Sequence, residues 1–217
     1  MRALSGGDFI FLVTAARWTI LLSLSAFLGG GIIGAIVALM RTSTSRTARW
    51  IAIGYIQVFQ GTPLLLQLFL VFFGMDMLGL PLGPWVSATL GLSLNAGAFL
   101  GEIWRGSIQS VPKAQSEAAM ALGLHYLPRM RRVVLPQALR IATAPTVGFL
   151  VNLVKSTSLA AIIGFVELTR AAQLLNNATF RPFTIFFSVA VLYFLLCWPL
   201  TIASRRLERR MAMAYQR

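Results

Sequence analysis

Long apolar runs separated by short polar intervals fill this chain. Five windows are apolar enough, over about 20 residues each, to cross a bilayer: 18–40, 51–74, 84–104, 141–165 and 183–203. The fourth is interrupted by Asn152, Lys155, Ser156, Thr157 and Ser158, yet its apolar flanks are long enough to predict a span. Residues 9–16 form an apolar run too short to cross and are expected at the membrane interface. The pattern therefore predicts an all-α membrane protein of about five transmembrane helices, with one transmembrane domain over residues 1–217. An odd number of spans places the two termini on opposite faces.

Local punctuation refines the picture. Gly61-Thr62-Pro63 is expected to break the second span, because proline cannot donate to the helix ladder. A broken helix at membrane depth leaves backbone groups for a cavity or for other side chains. Gly30 and Gly34 in span one, and Gly97 and Gly101 in span three, are spaced to let helices approach closely. The segment 107–140 reads as two short helices. Ser110 would cap the first, with Pro112 in its first turn and Ala114 to Leu122 as its body. Gly123 fits a left-handed position at its end. The second would start near Pro128 and stop before Pro136.

Composition agrees with the spans. The 217 residues are 57% hydrophobic and 12% charged, about half the charge of a soluble domain, and mean hydropathy is +0.76. The net charge of +13 would suggest nucleic acid in a soluble protein, but no nucleic-acid-binding motif accompanies it. In a membrane protein it is a positive-inside excess. Arg41, Arg46 and Arg49 follow span one. Arg105, Lys113, Arg129, Arg131, Arg132 and Arg140 follow span three, and Arg205, Arg206, Arg209, Arg210 and Arg217 follow span five. These fourteen face four on the other side: Arg2, Arg17, Arg170 and Arg181. The asymmetry puts the N-terminus outside and the C-terminus, with the 107–140 loop, in the cytoplasm. The N-terminus does not read as a cleavable signal. The single Cys197, in an apolar run, is expected to be a small core residue.

The loop carries a longer pattern. Glu117-Ala118-Ala119, then Gly123, then Val133 and Leu135-Pro136 resembles the EAA loop of ABC importer permeases, with Val133 replacing the usual isoleucine. The stretches "GTPLLLQLFLVFFG", "GEIWRGSIQSVPKAQSEAA" and "KSTSLAAIIGFVELTRAAQ" resemble the polar amino acid branch of that family, and the resemblance runs from about residue 18 to 208. Gln60, where the branch commonly has arginine, and Ala114, where it commonly has glycine, depart from it. The resemblance implies a multi-pass permease subunit of a bacterial cytoplasmic (inner) membrane, importing a polar amino acid or related small zwitterion. It implies as partners separate ABC ATPase subunits, an extracytoplasmic solute-binding protein and a second permease subunit within the lipid. It also assigns ATPase coupling to Glu117, Ala118, Ala119, Gly123, Leu135 and Pro136.

No phosphate-binding loop, zinc-protease motif or nucleophile elbow is present. The chain is thus expected to have no catalytic residue, metal or cofactor of its own, with ATP bound by the partner. An ATP-independent transporter or channel is the competing class.

Polar residues within spans are the candidate substrate contacts. Lys155 and Asn152 share a helical face, extended by Thr157 and Ser158. Gln60 and Gln67, with Gln57, fall near one face of span two, and Asn95 and Glu102 share a face of span three. Lys155 and Glu102 would complement the carboxylate and ammonium of an amino acid. Each also has a structural alternative. Lys155 would satisfy an unwound turn or snorkel, the glutamines would bond across a kink, and Glu102 would pair with Arg105 or Arg140. Glu167 and Arg170 lie beyond span four, either contacting the binding protein or solvated.

Overall fold

The computed structural model describes residues 5–215, with side chains through Met211; Arg2 and Arg217 lie outside the described residues. All elements among the described residues are helical. They are α1 (Gly6–Thr42), α2 (Arg46–Gly61), α3 (Leu64–Met77), α4 (Pro84–Gln109), α5 (Lys113–Ala121), α6 (Tyr126–Arg129), α7 (Leu135–Ser156), α8 (Leu168–Thr179) and α9 (Pro182–Tyr215). A π turn (Met130–Val134) joins α6 to α7, and a 3-10 segment (Thr157–Ile163) extends α7. Four of the described helical stretches are long and apolar enough to cross a membrane, five if the bent pair α2–α3 counts as one.

Helix α1 joins residues 9–16 to the first span in one helix. It is continuous over 37 residues, about 55 Å at 1.5 Å per residue, against a hydrocarbon core of about 30 Å. Nothing between Phe11 and Trp18 breaks it, and Ser5 and Asp8 form a capping box at its start. Its first turns are held by packing: Leu12, Ala15 and Ala16 are buried against Leu168, Ala171 and Leu175 of α8 and Ile185 and Val189 of α9. Where this layer meets the bundle, Trp18, Trp85 and Phe165 form an aromatic cluster with centroids 5.3–6.4 Å apart. Aromatic rings gather in this way at a membrane–water boundary.

The paired glycines face one another. A Cβ on Gly30 would lie 2.5 Å from the Cβ of Ala96, and one on Gly97 would lie 2.5 Å from Cγ2 of Ile33. Gly34 and Gly101 repeat the arrangement one turn on, with 2.9 Å to Leu100 Cβ and 2.6 Å to Val37 Cγ1. Helices α1 and α4 thus meet nearly backbone to backbone, which maximises dispersion contact where the lipid supplies no hydrophobic drive. A second core joins α1, α3, α4 and α7 through Leu22, Leu68, Leu92, Ala96 and Leu153.

Three further differences from the sequence reading appear. Ser110 ends α4 rather than starting the next helix, and Pro112 is the residue before α5. Pro136 does not stop the second loop helix: residues 126–156 are helical without interruption. The π turn supplies the reason. Leu135 N–H reaches back to Met130 O, five residues away, and this wider turn gives the proline ring room that an α-turn would deny. Helix α8 occupies the segment after span four, for which no element was predicted.

Candidate functional site

The loop between α4 and α7 is a helical arm. Helix α5 ends in a two-bond cap: Gly123 N–H to Met120 O at 2.9 Å and Leu124 N–H to Ala119 O at 3.0 Å. Gly123 takes the left-handed conformation this cap requires, φ +77°. Ala119 is buried, while Glu117 and Ala118 face outward. Leu135 is half-buried and Pro136 exposed. Val111, Val134 and Ala138 form a small core with Ile108, Met130 and Ile141, tying the end of α4 to the start of α7. The outer surface leaves Leu122 81% and Leu127 72% exposed, apolar side chains lying beyond the spans.

The second span breaks where expected, with α2 and α3 bent by 103°. Phe59 O would accept from residue 63 in an unbroken helix, but Pro63 has no N–H. Two side chains take its place. Gln67 Nε2 donates to Phe59 O (2.9 Å), Thr62 O (3.0 Å) and Thr62 Oγ1 (2.8 Å). Asn95 Nδ2 donates to Phe59 O and to Gln67 Oε1, both at 3.1 Å. Gln60 Nε2 bonds Ala98 O at 3.2 Å, so it too ties α2 to α4. Gln67 is 6% exposed. The groove beside the break, about 480 Å³, is walled mainly by Val58, Phe59, Leu66, Leu70 and Leu94 and is apolar. The amides of Gln67 and Asn95 are therefore engaged in holding the break.

Glu102 is held at the other end of α4. Its Oε1 accepts from Arg105 Nε at 2.8 Å, and Arg41 Nε stands 3.8 Å from Oε2. Arg105 was an expected partner; Arg41, across the α1–α4 contact, was not visible in sequence spacing. Lys155 and Asn152 are instead both exposed on one face of α7. Thr157 and Ser158 bond back to their own helix, at Val154 O and Lys155 O, both 2.7 Å. Such back-bonding competes with the backbone ladder at the point where α7 tightens into the 3-10 segment.

Glu167 is not solvated: it is fully buried. It caps α8, accepting from Thr169 N–H (2.8 Å) and Arg170 N–H (2.9 Å), and from Tyr193 O–H of α9 at 2.9 Å. The helix N-terminus supplies both the donors and a favourable dipole. Burial still pushes its carboxyl above the usual carboxylate range, against these hydrogen bonds. Arg170 is half-buried and donates to Gln173 at 3.1 Å. Sequence reading missed the Glu167–Tyr193 link; the signal was a carboxylate directly before Leu-Thr-Arg, a plausible N-cap.

A polytopic bundle with a broken second span, and a helical arm between its third and fourth spans, fits a membrane-embedded transport subunit. The chain belongs to the family of binding-protein-dependent transport system inner membrane components, which matches residues 30–213. It is 35% identical to the probable amino-acid ABC transporter permease protein YckA of Bacillus subtilis, covering 94% of this chain and 91% of that one. It is 36% identical to the glutamine transport system permease protein GlnP of Escherichia coli, over 92% of each. Against the crystal structure of an amino acid ABC transporter with histidines, the TM-score is 0.88 at 29% identity, over 96% of this chain and 100% of that one. An inward-facing MetNI methionine ABC transporter shares the fold, with TM-score 0.81 at 20% identity, over 95% and 99%. The chain is thus an ABC importer permease of a multi-pass inner-membrane family.

Proposed function

We propose that this permease imports a polar amino acid, as one of two permease subunits that enclose a shared pathway. Separate ATPase subunits dock on the α5 arm and a solute-binding protein delivers substrate to the opposite face. Similar permeases are named for the transport of glutamine and L-cystine, which supports the substrate class. The observation that carries the reading is the arm: a capped helix bearing Glu117, its Ala119 buried, strung between the ends of two spans that share a small core. Such an arm transmits a push from a nucleotide-driven partner as a rigid-body movement. Glu117 and the arm's arginines would set its docking orientation.

Lys155 and Asn152 are the substrate contacts this reading favours. A charge on the open face of an apolar helix is costly in lipid, about 2.5–3.5 kcal/mol on insertion scales. A second permease subunit covering that face would turn it into a cavity wall, with Lys155 placed for a substrate carboxylate. Gln60, Gln67, Asn95 and Glu102 would shape that pathway from behind, and Thr157 and Ser158 would set the turn beneath Lys155. The chain itself performs no hydrolysis; ATP is bound and cleaved by the partner. The N-terminus lies outside and the arm and C-terminus in the cytoplasm, following the basic-residue asymmetry.

The test is reconstitution in liposomes with its ATPase and binding protein. Uptake of one polar amino acid, dependent on ATP and on the binding protein, is expected; ATP-independent flux through the permease alone would overturn the reading. Orientation is checked in a Cys197→Ser background. External thiol labelling should reach a cysteine at position 79 and not one at 125.

A further inference from the structure

At the arm end of the bundle, α7 and α9 line a groove of about 490 Å³. Arg140 and Arg210 stand on its two walls, Gln137 and Thr143 add polar groups, and Ile141, Leu207 and Met211 complete the lining. Neither arginine has a hydrogen-bonding or ionic partner among the described residues. The chain has only six acidic residues against nineteen basic ones, and Glu102 and Glu167 are already engaged. Glu208 lies two positions from Arg210, a spacing that points the two side chains to different faces of α9.

We propose that this groove seats the headgroup of an anionic phospholipid, with Arg140 and Arg210 on its phosphate. Guanidinium groups present paired donors that match phosphate oxygens, so two from opposite walls hold one phosphate better than two lysines would. The apolar lining suits the glycerol and upper acyl carbons. Location selects a lipid over a dissolved anion. Helix α9 is the least buried of the described spans, with 11% of its most apolar window covered, so lipid borders it. Arg140 immediately precedes the apolar window 141–165 and Arg210 lies beyond the apolar window 183–203, which is headgroup depth. Basic pockets between spanning helices recognise anionic lipids in this way. The proposal holds whichever side of the membrane the arm occupies.

The experiment titrates the purified full-length chain, alone and with its ATPase, with phosphatidylglycerol and with phosphatidylcholine of the same acyl chains. Bound lipid is counted by native mass spectrometry. Arg140→Gln with Arg210→Gln should weaken phosphatidylglycerol binding by about tenfold or more and leave phosphatidylcholine unchanged. Arg205→Gln with Arg206→Gln, outside the groove, should have a much smaller effect. Arg210→Gln alone, on an exposed late turn, should give a partial loss and keeps the test valid if the double variant folds poorly. Equal losses in both pairs would mean diffuse surface charge and overturn the site. Displacement of the lipid by millimolar inorganic phosphate would make it a free-anion site. Loss of ATPase binding with lipid retained would make it a protein contact.

Discussion

Gln67 donates its side-chain amide to the carbonyl of Phe59 at 2.9 Å, the acceptor that Pro63 leaves without a helical donor. The residue that breaks the second span and the residue that makes the break tolerable are four positions apart. Asn95 completes the repair from α4, so the bend is fixed by tertiary contact as well as by proline. Gln67→Ala should therefore lower the thermal stability of the purified permease, by about 1–3 kcal/mol, because Thr62 O loses its side-chain donor and Asn95 loses Gln67 Oε1 as an acceptor. Uptake per folded molecule should change far less. An unaltered melting temperature would show that Asn95 alone holds the break.

Lys155 separates a substrate role from a structural one. Lys155→Met should insert at least as well as the native chain, since a charge exposed on an apolar helix is removed. Uptake normalised to folded, membrane-inserted protein should fall by about tenfold or more, given about 1.5–3 kcal/mol for a hydrogen bond to a charged group. ATPase stimulation by the loaded binding protein should survive. If the normalised rate stays the same while folded protein declines, the lysine serves the 3-10 turn.

The arm can be tested by conformation and by charge. Gly123 sits at φ +77°, which proline, fixed near −65°, cannot adopt. Gly123→Pro should uncouple hydrolysis from uptake while the spans remain inserted. Gly123→Ala meets no neighbour within 4 Å and bears only left-handed strain, about 1–2 kcal/mol, so a milder defect is expected. Glu117→Lys should impair coupling without changing stability, because Glu117 is exposed. Full uptake in both Gly123→Pro and Glu117→Lys would remove the arm from the transmission path.

Glu167 should give the protein an acid-side stability increment. Its folded-state carboxyl titrates above the ordinary range because burial outweighs its hydrogen bonds. The stability it contributes is complete below the unfolded value and is lost as pH rises through the folded one. Melting temperature should thus rise as pH is lowered from neutral toward the ordinary glutamate range. Glu167→Gln should flatten that part of the profile. A profile shared by both proteins would assign the pH dependence elsewhere.

Much of this molecule is legible in one dimension because the bilayer enforces simple rules. Spans must be long and apolar, and Gly61-Thr62-Pro63 gathers three residues poorly suited to a helix interior, Pro63 also lacking the N–H that Phe59 would accept from. Gly123 permits the turn after Glu117-Ala118-Ala119 whatever surrounds it. Spacing alone marked Gly30, Gly34, Gly97 and Gly101 as contact positions, since a missing Cβ is a local property.

The tertiary structure decided which groups meet. That Gly30 and Gly34 face Gly97 and Gly101, that Arg41 reaches Glu102, and that Tyr193 reaches Glu167 depends on helix rotation and depth. Neither leaves a trace in the order of residues. Pro136 within a continuous helix, and the extension of α1 back to Gly6, follow from a π turn and from packing on α8 that periodicity does not encode. The same holds for the polar residues of the spans. Sequence could gather Gln60, Gln67, Asn95, Glu102, Asn152, Lys155, Thr157 and Ser158 as groups too costly to leave idle in lipid. Only their placement separated the amides occupied by the broken helix, and the carboxylate held by arginines, from the ammonium of Lys155, left exposed beside Asn152 on α7. Each hydrogen bond requires a particular partner within about 3 Å, and that partner is chosen by the fold.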